Sequence, residues 1–233
     1  MVLLKARLHG VKHRIIDAVL WFGEVTGVRD RKEKRALNFV LAEAKKGDPS
    51  SVLSALDRFA TNEAFLMNLG PDKLKMLDEV FVEHKPVKAI ELGGYCGYSA
   101  VAIGMRLAEG GSLISVEVNP RMAQIARQII AHAGLANVVS VRVGTATDVL
   151  GVAADFLLLD HAKDAYLKDL QLLEPSLRPQ AVVFADNTGL FPALMAPYLS
   201  HVRSEAYAES RTIVTNMEYR PDVYDEVEIS VRH

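Results

Sequence analysis

The chain has 233 residues, of which 50% are hydrophobic and 24% are charged, with a formal net charge of −2. This mix is typical of one globular domain and excludes a disordered or collagen-like chain. The near-neutral charge argues against a protein that binds nucleic-acid phosphates. The single cysteine, Cys96, cannot form an intrachain disulfide, and no apolar run reaches the ~18–20 residues that span a bilayer. Since residue 1 is not followed by a signal-peptide pattern, we expect a cytoplasmic protein.

The first thirty residues form a separate segment. Leu4, Leu8, Val11 and Ile15 recur every three or four positions, and basic residues flank them, which predicts an amphipathic helix. We interpret residues 1–30 as a helical extension of a domain that covers residues 31–233. Such a helix packs on its own domain, packs on a second subunit in a homodimer, or lies on an anionic membrane surface.

The rest of the chain changes from helical patterns to alternating strands and helices. Helical stripes cover residues 36–44 and 52–60, and another runs from the turn at Gly70 to Pro86. Short apolar runs then predict strands, and helical patterns at 122–133, at 166–173 and after Pro192 separate or follow them. The predicted strands are 87–92, 113–116, 138–143, 156–159 and 181–185, with 211–217 and 223–231 as a closing pair. This order predicts an α/β fold: a doubly wound, mostly parallel sheet of seven strands with helices on both faces.

A glycine-rich turn follows the first predicted strand. Residues 91–99 read ELGGYCGYS, and glycines there bring backbone N–H groups close to a ligand at a helix N-terminus. Glu117 ends the next strand, 20 residues after Gly97, the separation of an acid that binds a ribose diol. The pattern indicates an adenosine-type ligand, and its alternative is a tight turn with a solvent-exposed glutamate. Tyr95 and Tyr98 stand where a nicotinamide-dinucleotide fingerprint requires glycine, so that class fits poorly.

Oxygen-bearing side chains follow two later strands. Asp160 comes after one apolar run, and Asp186 and Asn187 come after the next. Because adjacent parallel strands lie under about 5 Å apart, these residues can converge and bind a hard divalent cation such as Mg²⁺. Alternatively, Asp160 caps a helix and Asp186 and Asn187 form a turn. No thiolate or histidine pair suits zinc, and His161 is interpreted as a structural neighbour.

These motifs together resemble the catechol O-methyltransferase family. The resemblance runs from residue 32 to residue 219 and includes ELGGYCGYS at 91–99, VEVNP at 116–120 and MNLG at 67–70. It implies a Rossmann-like methyltransferase fold with S-adenosylmethionine as cofactor. It places Glu117 on the ribose, Ser99 and the backbone near Gly93 and Leu69 on the amino-acid end, and Tyr95 near the sulfonium. The cofactor-binding residues predicted in this way are Met67, Leu69, Glu91, Gly93, Tyr95, Ser99, Glu117, Val118, Ala146 and Asp160. Family members read adenine partly through a Ser-Gln pair, where this chain has Ala146 and Thr147.

The resemblance also assigns catalytic roles. Asp160, Asp186 and Asn187 would hold Mg²⁺, to which a small aromatic vicinal diol binds with both oxygens. Lys163 would accept the proton of the reacting hydroxyl. Glu218 would accept a hydrogen bond from the second hydroxyl, and its alternative interpretation is a surface carboxylate at a strand end.

Two departures bear on the acceptor. The family frames the aromatic ring with tryptophans, where this chain has Ala162 and Phe65, so we expect a wider acceptor site. Pro192 matches a proline that lines the other wall. Other functions left open are methylation of caffeoyl esters or flavonoids, an NAD(P)-linked oxidoreductase, and a non-catalytic interaction protein that uses the first helix.

Overall fold

The computed structural model describes residues 31–233. Seven α-helices and seven strands are found there. The helices are α1 (Lys32–Glu43), α2 (Pro49–Asn62), α3 (Gly70–His84), α4 (Tyr98–Gly104), α5 (Pro120–His132), α6 (Tyr166–Leu173) and α7 (Pro192–Val202). The strands are β1 (Lys88–Leu92), β2 (Ser112–Glu117), β3 (Val139–Val143), β4 (Ala154–Leu159), β5 (Leu177–Ala185), β6 (Tyr207–Met217) and β7 (Arg220–Arg232).

The strands form one sheet in the order β3-β2-β1-β4-β5-β7-β6. Strands β1 to β5 are parallel, and β7 runs antiparallel between β5 and β6. This confirms the predicted doubly wound, mostly parallel sheet of seven strands with a closing strand pair. The element boundaries differ from the predicted ones by a few residues; β5 and β6, for example, each begin four residues earlier than predicted.

The predicted amphipathic helix at residues 1–30 lies outside the described residues. Its packing, the homodimer, the membrane-surface contact and the domain boundary after residue 30 therefore stay predictions. Within residues 31–233, no helix is long and apolar enough to cross a membrane. The cytoplasmic location also stays a prediction.

Helices cover both faces of the sheet because the central strands are apolar on both sides. In β4, Phe156 and Leu158 pack in a cluster with helices α1 to α5. Leu157 and Leu159 point to the opposite face and pack against α6 and α7. Period-2 alternation with both faces buried explains the near-continuous apolar run that predicted this strand.

Strand β3 behaves differently because it lies at the edge of the sheet. Its residues Ser140 and Arg142 are exposed, while Val139 is buried. The prediction of an uninterrupted apolar run at 138–143 was wrong in this detail. An edge strand has one unpaired side and tolerates polar residues.

Polar caps start two helices where the sequence changes from loop to helix. The Asp48 side chain accepts a hydrogen bond from the Ser51 backbone N–H at 3.1 Å and starts α2. The Asn119 side chain accepts one from Arg121 N–H at 3.0 Å and starts α5. These caps satisfy donors that the first helical turn leaves free, and α5 is thereby fixed directly after Glu117.

Candidate active site

The strand order reverses direction between β1 and β4, and the predicted site residues cluster at this point. Gly93, directly after β1, has φ +99° and lies so close to the Asp160 backbone that a Cβ there would collide with it. Glycine is therefore required for the ends of β1 and β4 to approach each other. In open α/β sheets, ligands bind at the carboxyl ends of strands beside such a reversal.

The glycine-rich turn forms a backbone cradle next to Glu117. Gly97 has φ +88° and precedes α4, and Tyr95 has φ +40°, a strained value for a bulky side chain. The Glu117 carboxylate accepts hydrogen bonds from the N–H groups of Tyr95 and Asn119, each at 2.8 Å. Glu117 is largely buried, which argues against the alternative of a solvent-exposed glutamate. Each carboxylate oxygen keeps a second lone pair for a ligand hydroxyl.

Glu91, at the end of β1, is completely buried beside this cradle. Its Oε2 accepts a short hydrogen bond from the Ser115 hydroxyl, and Ser99 also hydrogen-bonds to its side chain. Burial raises the pKa of Glu91 from 4.5 to about 7, against the opposing effect of these two hydroxyls. Oε1 has no partner among the described residues, and an orphaned buried oxygen of this kind is expected where a polar ligand group binds.

The other predicted cofactor-binding residues come from three segments around the same edge. Val118 follows β2 and is exposed, and Ala146 follows β3 and is buried. Met67 and Leu69 precede α3, the former exposed and the latter buried. Between them, Asn68 is buried, and its Oδ1 also lacks a partner.

Asp160 and Lys163 form a pair directly after β4. Lys163 Nζ lies 3.0 Å from Asp160 Oδ1 and donates to the Tyr166 hydroxyl at 2.7 Å. That hydroxyl lies within hydrogen-bonding distance of the carbonyls of Leu159 and Asp186, at 2.7 and 3.0 Å. Burial raises the pKa of Asp160 to about 7, although Lys163 opposes the shift. Tyr166 thus fixes the lysine between two strand ends.

Asp186 and Asn187 follow β5, on the other side of Asp160. Asn187 has φ +56°, which asparagine tolerates better than most residues, and its N–H donates to Asp186 Oδ1 at 2.8 Å. Its side-chain Nδ2 donates to Asp225 Oδ2 at 2.8 Å. Because the side-chain nitrogen of Asn187 is hydrogen-bonded to Asp225, its side-chain oxygen Oδ1 is the atom that could bind a metal ion.

A buried lysine joins the acidic groups. Lys73 is 1% exposed, and its Nζ lies 2.6 Å from Asp186 Oδ1, 2.8 Å from Asp225 Oδ2 and 3.2 Å from Glu218 Oε2. Burial lowers the pKa of Lys73, but the charges of the three carboxylates raise it, and it lies above its ordinary value. Glu218 is also buried, so its alternative interpretation as a surface carboxylate was wrong. Burial raises the pKa of Glu218 above its ordinary value, although the charge of Lys73 opposes this shift.

The donor set fits a hard cation. Asp160, Asp186 and Asn187 stand on adjacent parallel strands and offer two carboxylates and one amide oxygen, the chemistry that Mg²⁺ prefers. Within residues 31–233, no group of three His, Cys, Asp or Glu side chains could hold a metal ion, and the predicted set includes an amide as its third ligand. His161 instead hydrogen-bonds to Asp169 at 3.0 Å and stacks on Tyr166.

Sequence reasoning missed Lys73, Asp225 and Tyr166. Lys73 stands in a helix that was identified by its apolar stripe, and Tyr166 was interpreted only as the start of a helix. Asp225 lies inside β7, in the run 223–231 predicted as part of the closing strand pair. Asp225 gave no clear signal, because Glu226 and Glu228 stand in the same strand and only the structure shows that Asp225 is fully buried.

Comparison with known proteins identifies the family. Residues 90–188 match the family model described as a methyltransferase domain. The chain is 37% identical to catechol O-methyltransferase of Mus musculus over 198 residues, 81% of this chain and 74% of that protein. It is 39% identical to catechol O-methyltransferase B of Danio rerio over 201 residues, 82% of this chain and 75% of that protein. A protein of Homo sapiens named transmembrane O-methyltransferase is 39% identical over 186 residues, 75% of this chain and 63% of that protein.

Solved structures share the fold at low sequence identity. An O-methyltransferase of Streptomyces achromogenes involved in tomaymycin synthesis, in complex with SAM, has a TM-score of 0.68 at 20% identity and covers 78% of this chain and 89% of its own. An O-methyltransferase of Bacillus cereus in complex with SAH has a TM-score of 0.66 at 21% identity, covering 93% and 97%. The fold, the cradle around Glu117 and the curated relatives agree: the chain belongs to the catechol O-methyltransferase family and is an S-adenosylmethionine-dependent O-methyltransferase that acts on a small-molecule acceptor.

Proposed function

We propose that the protein transfers the methyl group of S-adenosylmethionine to one hydroxyl of a vicinal diphenol in a Mg²⁺-dependent reaction. The observation that carries this proposal is the placement of Asp160, Asp186 and Asn187 on adjacent strand ends, with Lys163 Nζ 3.0 Å from Asp160. Oxygen ligands of this kind suit a cation that keeps positions open for two neighbouring substrate oxygens. The names of the mouse and zebrafish relatives support the same acceptor class.

When bound, Mg²⁺ would favour the ionised form of a substrate hydroxyl, and S-adenosylmethionine would provide an activated methyl group. Asp160, Asp186 and Asn187 would hold the ion. Glu117 would hold the ribose, and Ser99, Glu91 and the backbone near Gly93 and Leu69 would hold the amino-acid end. Met67, Tyr95, Val118 and Ala146 would complete the cofactor site.

Lys163 and Glu218 would divide the two acceptor hydroxyls between them. In its neutral amine form, Lys163 Nζ, held by Asp160 and Tyr166, would accept the proton of the reacting hydroxyl as the O–CH₃ bond forms and the S–CH₃ bond breaks. Glu218 Oε would accept a hydrogen bond from the second hydroxyl. Holding the acceptor at two points aligns its oxygen with the methyl group, and such alignment supplies a large part of the acceleration in bimolecular displacements.

The acceptor site is proposed to be wide on one side. Ala162 is exposed beside Lys163, and a methyl group covers far less of an aromatic ring than an indole does. Phe65, half-buried, packs edge-to-face on Tyr219 with ring centroids 6.5 Å apart, next to Glu218. We therefore expect bulky catechols, including caffeoyl or flavonoid types, to be methylated at least as well as catechol itself. Strict preference for unsubstituted catechol would contradict this part of the proposal.

A methyl-transfer assay with matched acceptors tests the proposal. Catechol and phenol are compared with S-adenosylmethionine and Mg²⁺, then with EDTA, and products are identified by mass spectrometry. We expect monomethylated catechol, its loss with EDTA and its return with added Mg²⁺, and no product from phenol. Equal turnover with EDTA, or equal methylation of phenol, would refute the proposal.

A further inference from the structure

Lys73 lies in the first turn of α3, a position that is unfavourable for a positively charged side chain. It is the fourth residue of α3, and a positive charge in the first turn of a helix is unfavourable to the helix dipole. Lysine is almost never fully buried unless it is paired, yet Lys73 is 1% exposed. Its position is therefore determined by the carboxylates around it.

These carboxylates come from separate parts of the chain. Asp186 follows β5, Glu218 lies in the turn between β6 and β7, and Asp225 lies within β7. Asp225 is fully buried and in turn accepts the hydrogen bond from the Asn187 amide. One ammonium thus contacts three side chains directly and holds a fourth, Asn187, through Asp225.

The start of α3 is also locked against Glu218 by packing. Gly70 has φ +80°, and a Cβ there would lie 2.9 Å from the Glu218 Cβ. Glycine at position 70 therefore allows the start of α3 to lie directly against the Glu218 side chain. This contact keeps the ammonium in register with the acidic groups.

We propose that Lys73 is the internal counter-ion of the active site: its positive charge balances Asp186, Glu218 and Asp225 and so stabilises the metal-free arrangement of these groups and, through Asp225, of Asn187. The proposal rests on the proposed Mg²⁺ function. The ammonium contacts Asp186 through Oδ1, which leaves Oδ2 for the metal ion, and its charge offsets part of the negative charge that attracts the ion.

Two variants that change Mg²⁺ affinity in opposite directions test this role. In Lys73→Met the carboxylates lose their counter-charge, so the metal-free protein should melt roughly 10 °C lower. Mg²⁺ should then bind roughly tenfold more tightly and raise the melting temperature by more than in the wild type. In Asp225→Asn, Lys73 stays but a negative charge and the acceptor of Asn187 are weakened, so Mg²⁺ should bind roughly tenfold more weakly.

Mg²⁺ affinity is measured by calorimetry on the S-adenosylhomocysteine complex. The melting temperature of each variant is measured with and without Mg²⁺. Lys88→Met is the matched control: this partly buried lysine contacts Ser112 Oγ at 3.0 Å, at the other end of β1, and its loss should not change Mg²⁺ affinity. The affinity for S-adenosylhomocysteine should stay unchanged in all variants. Opposite signs for the two variants support the charge role, because a packing defect alone would weaken Mg²⁺ binding in both.

Unchanged Mg²⁺ affinity in both variants, or weaker binding in both, would overturn the inference. Should Lys73→Met fail to fold, Asp225→Asn decides alone: wild-type Mg²⁺ affinity in that variant would overturn the inference. A wild-type protein that binds no Mg²⁺ would instead refute the proposed function, and the inference with it.

Discussion

The two halves of the active site are built differently. The cofactor half comes mainly from one continuous segment, residues 91–99, with Glu117 after the next strand, and its geometry depends on local backbone conformation at Gly93 and Gly97. The acidic half takes side chains from elements more than a hundred residues apart, such as Lys73 in α3 and Glu218 in the turn between β6 and β7. The first half is a local motif, whereas the second exists only when the whole sheet has formed.

This difference predicts how each half responds to substitution. A change in the cofactor half should affect ligand affinity and leave the metal site intact. A change in the acidic half should affect catalysis through several coupled charges.

The largest effect is expected for Asp186→Ala, which removes a proposed metal ligand and a partner of Lys73. Mg²⁺-stimulated turnover should fall by more than about 100-fold, since even supporting residues of metal sites cost 10–100-fold. S-adenosylhomocysteine affinity, measured by calorimetry, should be retained. Asp222→Ala, which removes an exposed carboxylate from the β6–β7 hairpin, is the control and should be active. Full activity of Asp186→Ala would show that the acidic half does not bind a catalytic metal ion.

Lys163→Met should lower kcat by about 10²- to 10⁴-fold, with a much smaller change in KM, because it removes the proposed proton acceptor and leaves the metal ligands. Steady-state kinetics with a catechol acceptor measure both. Lys168→Met, on the exposed side of α6, should behave as the wild type. Normal kcat for Lys163→Met would assign the proton to another group.

Glu117→Gln should weaken S-adenosylhomocysteine binding by about 10–100-fold, since hydrogen bonds to a charged group contribute about 1.5–3 kcal/mol. Mg²⁺ affinity should not change, which separates the two halves. Exposed Glu109→Gln serves as the matched control. If Glu117→Gln binds the cofactor product as the wild type does, the ribose assignment is wrong.

The smallest effect concerns Glu91 and pH. Burial raises its pKa from 4.5 to about 7, so the native state holds a proton that the unfolded state loses between these values. Its contribution to stability is therefore fully present below 4.5 and is lost as pH rises through about 7. Glutamine stays neutral throughout, so the melting temperature of ligand-free Glu91→Gln, relative to the wild type, should increase with pH over this window. A difference that does not depend on pH would contradict a protonated, buried Glu91.

The same contrast explains what the sequence could predict. Alternating apolar strands and helices predicted the sheet, and ELGGYCGYS with Glu117 predicted the cofactor half, because both depend on neighbours in the chain. Asp160, Asp186 and Asn187 were predicted from strand ends, which the parallel topology brings together.

Lys73 and Asp225 were not predicted because their role depends on a contact between α3 and β7, and the two residues are 152 positions apart in sequence. The polar residues Ser140 and Arg142 of β3 are visible in the sequence and were overlooked, whereas the edge position that tolerates them is shown only by the strand order. Local sequence patterns indicate which residues lie at strand ends. They do not indicate that the buried Lys73 ammonium contacts those residues.

The most direct measurement is a crystal structure of the S-adenosylhomocysteine complex grown with Mn²⁺ in place of Mg²⁺ and recorded at the manganese absorption edge. An anomalous peak within about 2.5 Å of oxygens from Asp160, Asp186 and Asn187 is the predicted result. A fully occupied cofactor site without a peak there, or with Asp160 and Asp186 turned away from each other, would contradict the proposed metal-dependent mechanism.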